Sequence, residues 1–196
     1  MTSTQTDPTS QPQRRMRSDA RDNRERILKA AKAVFAERGT ASSLNEIARR
    51  ANVGPGTLYR HFPTLQDLLV AIIGDDVDVL CATGRDLLTH RSPDEALRIW
   101  LRAVALHATA MNGLVATQMA ADLGTGHGTA LAGCHDAITA VGSELLTRAK
   151  EHGGIAEQTD VVDLLKLATA IAWASEQAPE DVGLLDRLLA LAITRS

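Results

Sequence analysis

The break "NVGPG" at residues 52–56 constrains this chain more than any other feature. Before it, Leu44, Ile47, Ala48 and Ala51 recur at helical spacing; after it, Leu58 and Phe62 stand four apart. The pattern predicts two short helices folded across a tight turn, each apolar on one side. Ser43 is the expected N-cap of the first, with Glu46 at the capping-box position. Pro55 suits the first position of the second, where its fixed φ fits and its missing N–H would have gone unused. A third helix must supply the surface they cover. The stretch "RILKAAKAVFAERG" (residues 26–39) does so, with Ile27, Leu28, Ala31, Val34 and Phe35 on one face of a helix beginning near Asp22 and stopped by Gly39.

The remainder keeps the helical period. Leu65, Leu68, Leu69, Ile72 and Ile73, then Leu80, Leu87 and Leu88, predict a long helix from Thr64 to about His90. "RSPDEA" starts another, with Ser92 as cap and Pro93 at its first position, carrying Ala96, Leu97, Trp100, Leu101, Val104 and Ala108. A shorter segment near 113–123, a helix over 127–152 stopped by Gly153 and Gly154, and helices over 159–177 and 180–195 complete the chain. Five aromatic residues and sparse β-branched runs leave little material for a sheet. The expectation is an all-α fold of about nine helices. Its parts are a disordered basic arm over 1–20, a three-helix module over 21–66 and a helical domain over 67–196.

The net charge of −3 conceals a division. Residues 1–66 hold 12 Lys and Arg against 6 Asp and Glu, and residues 67–196 hold 9 against 18. A basic front suits a polyanionic partner. The N-terminus "MTSTQTDPTSQPQ" lacks the apolar core of a secretory signal, and no run approaches a membrane span, so a cytoplasmic protein with no membrane partner is expected. Cys81 and Cys134 are far apart and outside metal-ligand spacing; they read as small buried residues, with a redox role left open.

On the second short helix Thr57, Tyr59, Arg60 and His61 project away from the inward Leu58 and Phe62. Arg forks onto guanine edges or phosphates, while Thr, Tyr and His suit phosphate oxygens. Gly54 and Gly56 keep the helix start bare, so backbone N–H groups can approach a phosphate. The plain alternative is a helical hairpin whose polar face meets water. The string "LNEIARRANVGPGTLYRHFPTLQDLLVAI", preceded by "RILKAAKAVFAERG", resembles the DNA-binding segment of the TetR family of bacterial transcriptional regulators over about residues 22–73. "VGPGTLYRHFP" together with "DEALRIWLRAV" is similar to the SbtR-like branch.

That resemblance implies a homodimer on palindromic double-stranded operator DNA, usually a repressor, whose C-terminal domain dimerises and binds a small-molecule effector. It implies DNA contacts from Ser43, Gly54, Pro55, Gly56, Thr57, Tyr59, Arg60 and His61. Many relatives carry Lys at the start of the fourth helix where this chain has Leu65. The effector is expected between the fourth helix and the helices over 93–108 and 127–152, against Trp100, Val104, His107, Met111 and Ile138. Core packing is the plainer reading for Trp100 and Val104, while a His among apolar neighbours also suits a pocket for a moderately hydrophobic guest.

The last two helices are apolar on most sides, which points to burial against a second subunit. Leu164, Ile171, Trp173, Leu185, Leu188, Leu189 and Ile193 are the expected dimer contacts. "LGTGHGTAL" (123–131) lacks the preceding strand and the Lys-Ser/Thr ending of a phosphate loop. His107, His127, Cys134 and His135 complete no metal-ligand spacing. No catalytic constellation, metal or cofactor is expected, and the chain is not read as an enzyme. Two other readings stay open: a DNA-binding regulator without an effector, and a helical enzyme or carrier with a vestigial DNA-binding front.

Overall fold

A computed structural model describes residues 10–38, 42–121 and 128–192, with side chains over 18–38, 42–110 and 132–192. Among the described residues there are eight α-helices and no strand. The chain divides into two compact units, Met1–Leu68 and Leu69–Ser196.

The first unit contains α1 (Ser10–Arg38), α2 (Leu44–Arg50), α3 (Pro55–His61) and the first turn of α4 (Leu65–Leu87). The arm expected to be disordered over 1–20 is helical from Ser10 onward. Gln, Arg, Met and Ala in that stretch are good helix formers, and Pro12 falls in the first turn, where no donor is needed. Gly39, the expected stop, lies outside the described residues. The core is the one the periodicity drew: Ile27, Ala31, Val34 and Phe35 of α1, Ile47 and Ala48 of α2, Leu58 of α3 and Phe62 are all buried. Each large side chain so buried contributes roughly 1.5–3 kcal/mol.

The turn between α2 and α3 is a Schellman motif. Asn52 takes φ 53°, Val53 N–H donates to Ala48 O at 3.0 Å, and Asn52 N–H donates to Arg49 O at 3.2 Å. Asn tolerates the left-handed region better than any other residue except Gly. At the start of α2, Ser43 Oγ accepts from Glu46 N–H at 3.3 Å, while the Glu46 carboxylate pairs with Arg38 Nη1 at 2.6 Å. Arg50 grips Glu37 with both terminal nitrogens at 2.5 Å, clasping α2 to α1. The hydrogen bonds from Arg50 hold the Glu37 carboxyl below the usual carboxylate range. A reciprocal cap starts α4: Thr64 Oγ1 and N–H donate to Asp67 Oδ2 at 2.6 and 2.9 Å, and Asp67 N–H donates to Thr64 Oγ1 at 3.1 Å.

The second unit holds the rest of α4 with α5 (Pro93–Ala121), α6 (Gly128–Glu151), α7 (Val161–Glu176) and α8 (Leu184–Ala192). The segment near 113–123, expected as a separate helix, continues α5 through Ala121, which accounts for eight helices rather than nine. Residues 122–127, His127 among them, lie outside the described residues. Ser92 Oγ accepts from Glu95 N–H at 3.4 Å to cap α5, and Asp160 Oδ1 accepts from Val162 N–H at 2.8 Å to cap α7. α8 starts at Leu184 rather than near 180, because Gly183 turns the chain at φ 98°.

Trp100 is the centre of this unit, fully buried, with Nε1 donating to Leu80 O at 3.2 Å. A Cβ added at Gly142 would stand 2.8 Å from Trp100 Cζ3, and one at Gly84 would stand 2.7 Å from Trp100 Nε1. Glycine on α4 and on α6 therefore makes the space the indole fills.

Candidate nucleic-acid interface and ligand cavity

In the first unit, α3 is held by its apolar side and bare on the other. Leu58 is fully buried and Phe62 nearly so, with the Arg24 guanidinium 5.9 Å from the Phe62 ring centroid. Gly54, Pro55, Gly56 and Arg60 are exposed or nearly so, Tyr59 is 45% exposed, and Thr57 and His61 are half-buried. A Cβ at Gly54 or Gly56 would meet nothing within 4 Å. No packing within the described chain requires glycine at either position. Gly54 is the N-cap of α3 and makes no side-chain cap bond, and Pro55 occupies the first turn. Ser43 is exposed, with its Oγ engaged by Glu46 N–H. Arg38 and Arg50, two other basic residues of this unit, are tied into ion pairs with Glu46 and Glu37.

In the second unit a cavity of about 650 Å³ is lined by Val104, His107 and Ala108 of α5, His135 and Ile138 of α6, and one side of α7 from Val162 to Trp173. That places three of the five expected effector contacts on its wall: Val104, His107 and Ile138. Trp100 is not among the lining residues, because its ring is enclosed in the core and hydrogen-bonded to Leu80. The Met111 side chain lies outside the described residues. No α4 residue lines the cavity either: Leu69, Ile72, Ile73, Val77 and Leu80 of that helix are buried in packing. The wall also includes residues that periodicity on α5 and α6 alone did not reveal. On α7, Val162, Leu165, Lys166, Thr169, Ala170 and Trp173 fall at helical spacing along one stripe.

The expected dimer contacts separate into two sets. Leu164, Ile171 and Leu189 are buried within one protomer, so they belong to its own core. Leu185 and Leu188 are half-buried, and Ile193 lies outside the described residues. Trp173 is 61% exposed, joined by Leu167 at 42% and Leu191 at 72%, further apolar residues of the same two helices. The all-round apolar character of α7 thus reflects an inner face, a cavity stripe and an exposed remainder.

Cys81 is buried and Cys134 half-buried; both are free thiols, and burial pushes both above the ordinary thiol range. Among the described residues no three His, Cys, Asp or Glu side chains form a metal-binding group, and no helix is long and apolar enough to cross a membrane.

Two family models match the chain. Residues 27–72 match "Bacterial regulatory proteins, tetR family", and residues 92–194 match "Transcriptional regulator SbtR-like, C-terminal domain". The chain is similar to a TetR transcription regulatory protein from Mycobacterium vanbaalenii, with a TM-score of 0.71 and 34% identity, covering 92% of this chain and 99% of that one. It is similar also to a TetR transcriptional regulator from Streptomyces coelicolor, with a TM-score of 0.69 and 34% identity over 87% of this chain and 95% of that one. A curated HTH-type transcriptional regulator of Staphylococcus aureus (strain USA300) is 45% identical over 65 residues, 33% of this chain; the match spans about a third of that relative, 35% of its length. The chain belongs to the TetR family of bacterial regulatory proteins, with a C-terminal domain of the SbtR-like kind.

Proposed function

We propose that this chain is a cytoplasmic transcriptional regulator that binds palindromic operator DNA as a homodimer, acts as a repressor, and is released by a small, moderately hydrophobic effector. The observation that carries this reading is the division of α3, with Leu58 and Phe62 anchored inward and Tyr59 and Arg60 exposed beside two glycines that the chain's own packing does not require. Arg60 supplies a fork for a guanine edge or a phosphate, and Thr57, Tyr59 and His61 supply donors for phosphate oxygens. The bare backbone at Gly54 and Gly56 leaves room for a sugar-phosphate strand.

A palindrome is matched by two-fold protein symmetry, which needs a second copy. The exposed Leu167, Trp173 and Leu191 on α7 and α8 support a four-helix bundle built from those helices of two protomers. The cavity supports an effector, and α4 is the helix that contributes to both units. An effector releases DNA only by binding the DNA-incompetent arrangement more tightly, and a 100-fold preference is worth about 2.7 kcal/mol. The test is footprinting on the DNA upstream of the chain's own coding region. A two-fold symmetric protection that fades as salt rises is expected; absence of any protection at low salt overturns the reading.

A further inference from the structure

We infer that the cavity of the second unit takes an amphipathic monoanion, a medium-chain carboxylate whose head group is met by the nitrogen donors of His135 and Lys166. The inference rests on the reading of that cavity as the effector site and names the chemistry it selects.

Among the described residues every ionisable group on the wall is a nitrogen base. Residues 67–196 carry 18 Asp and Glu against 9 Lys and Arg and five His, yet no carboxylate stands among the described lining residues. Thr169, another polar lining residue, already donates its hydroxyl proton to Leu165 O at 2.9 Å. Lys166 pairs with Asp163 at 3.3 Å, but the two side chains are 73% and 75% exposed. A pair so solvated holds its lysine weakly, and the ammonium can turn toward a better-placed anion. The rest of the wall is apolar, including Val104, Ile138 and Leu165, and the volume of about 650 Å³ is ample for a chain of about ten carbons. A cationic amphiphile would face Lys166 unfavourably. A sugar phosphate would place its hydroxyls against a wall with few partners.

The test titrates the full-length protein at neutral pH with decanoate, decanol and decyltrimethylammonium, each below its micellar concentration. Calorimetry and the fluorescence of Trp173, which lines the cavity, report binding. Decanoate is expected to bind about tenfold tighter than decanol, as one charge-assisted hydrogen bond provides, and decyltrimethylammonium more weakly than either. His135 and Lys166 are exposed, so the H135Q/K166Q variant keeps its fold, checked by circular dichroism. In that variant decanoate should fall to the affinity of decanol, with decanol unchanged. Equal affinities in the wild type, a preference that survives in the variant, or no saturable decanoate binding would each overturn the inference. Operator binding is measured separately without any amphiphile. A protein that binds DNA but shows no carboxylate preference loses only the ligand class; one that binds no DNA loses the regulator reading, whatever decanoate does.

Discussion

Trp100 Nε1 donates to the Leu80 carbonyl at 3.2 Å, joining α5 to α4 through a fully buried indole. Val104, one turn further along α5, lines the cavity. A side chain one turn from the cavity wall is thus hydrogen-bonded to α4 without itself touching the cavity.

The indole sets the first prediction. Gly→Ala in a helix interior ordinarily stabilises by about 0.8–1 kcal/mol. At Gly142 the added methyl would stand 2.8 Å from both Trp100 Cζ3 and Val161 Cγ2, and a fused ring cannot yield. Overpacking of this kind costs about 1–3 kcal/mol, so the steric effect wins. Gly142→Ala should lower the melting temperature, while Gly133→Ala on the same helix, with nothing within 4 Å, should leave it unchanged or raise it. Thermal unfolding followed by circular dichroism checks the pair, and equal shifts would refute the packing account.

Asn52 sets the second. Its φ of 53° costs an ordinary L-residue about 1–2 kcal/mol. Asn52→Val should therefore destabilise the first unit by about that amount, whereas Asn52→Gly should be near neutral. Chemical denaturation of the two variants against wild type would show the order, and a Val variant as stable as the Gly variant would contradict it.

The fold was largely legible because its signals are local. The spacing of Ile27, Ala31, Val34, Ile47, Leu58 and Phe62 marked the inner faces of α1 to α3, and all six are buried. What escaped was the assignment of apolar residues among several possible neighbours. Leu164, Ile171 and Leu189 have the same character whether they meet their own chain or another, so a subunit contact was read where the protomer core lies. Trp100 likewise fits the period of a cavity wall, and only the opposing Gly84 and Gly142 show that the ring is enclosed. The cavity stripe on α7 has regular spacing, but nothing in one sequence tells which face of a largely apolar helix meets a void. The Thr64–Asp67 cap departs from the usual capping box, with Asp where Glu or Gln is usual.

The third prediction concerns assembly. Leu191 is 72% exposed and Leu189 1%. Leu191→Glu should weaken self-association while leaving the helical content intact. Leu189→Glu should unfold the domain, since it buries an unpaired charge. Light scattering and circular dichroism separate the two outcomes. A wild-type protein that is monomeric at micromolar concentration would contradict the proposed dimer.

In the proposed function the exposed face of α3 reads DNA, and Arg60 stands on that face. Fluorescence anisotropy of wild type and Arg60→Ala on the footprinted site and on a scrambled duplex, over a range of salt, is the decisive measurement. Arg60→Ala is expected to lose about 1–3 kcal/mol on the specific site and less on the scrambled one, with the helical content unchanged. An Arg60→Ala protein that binds the specific site as tightly as wild type at every salt concentration would contradict it.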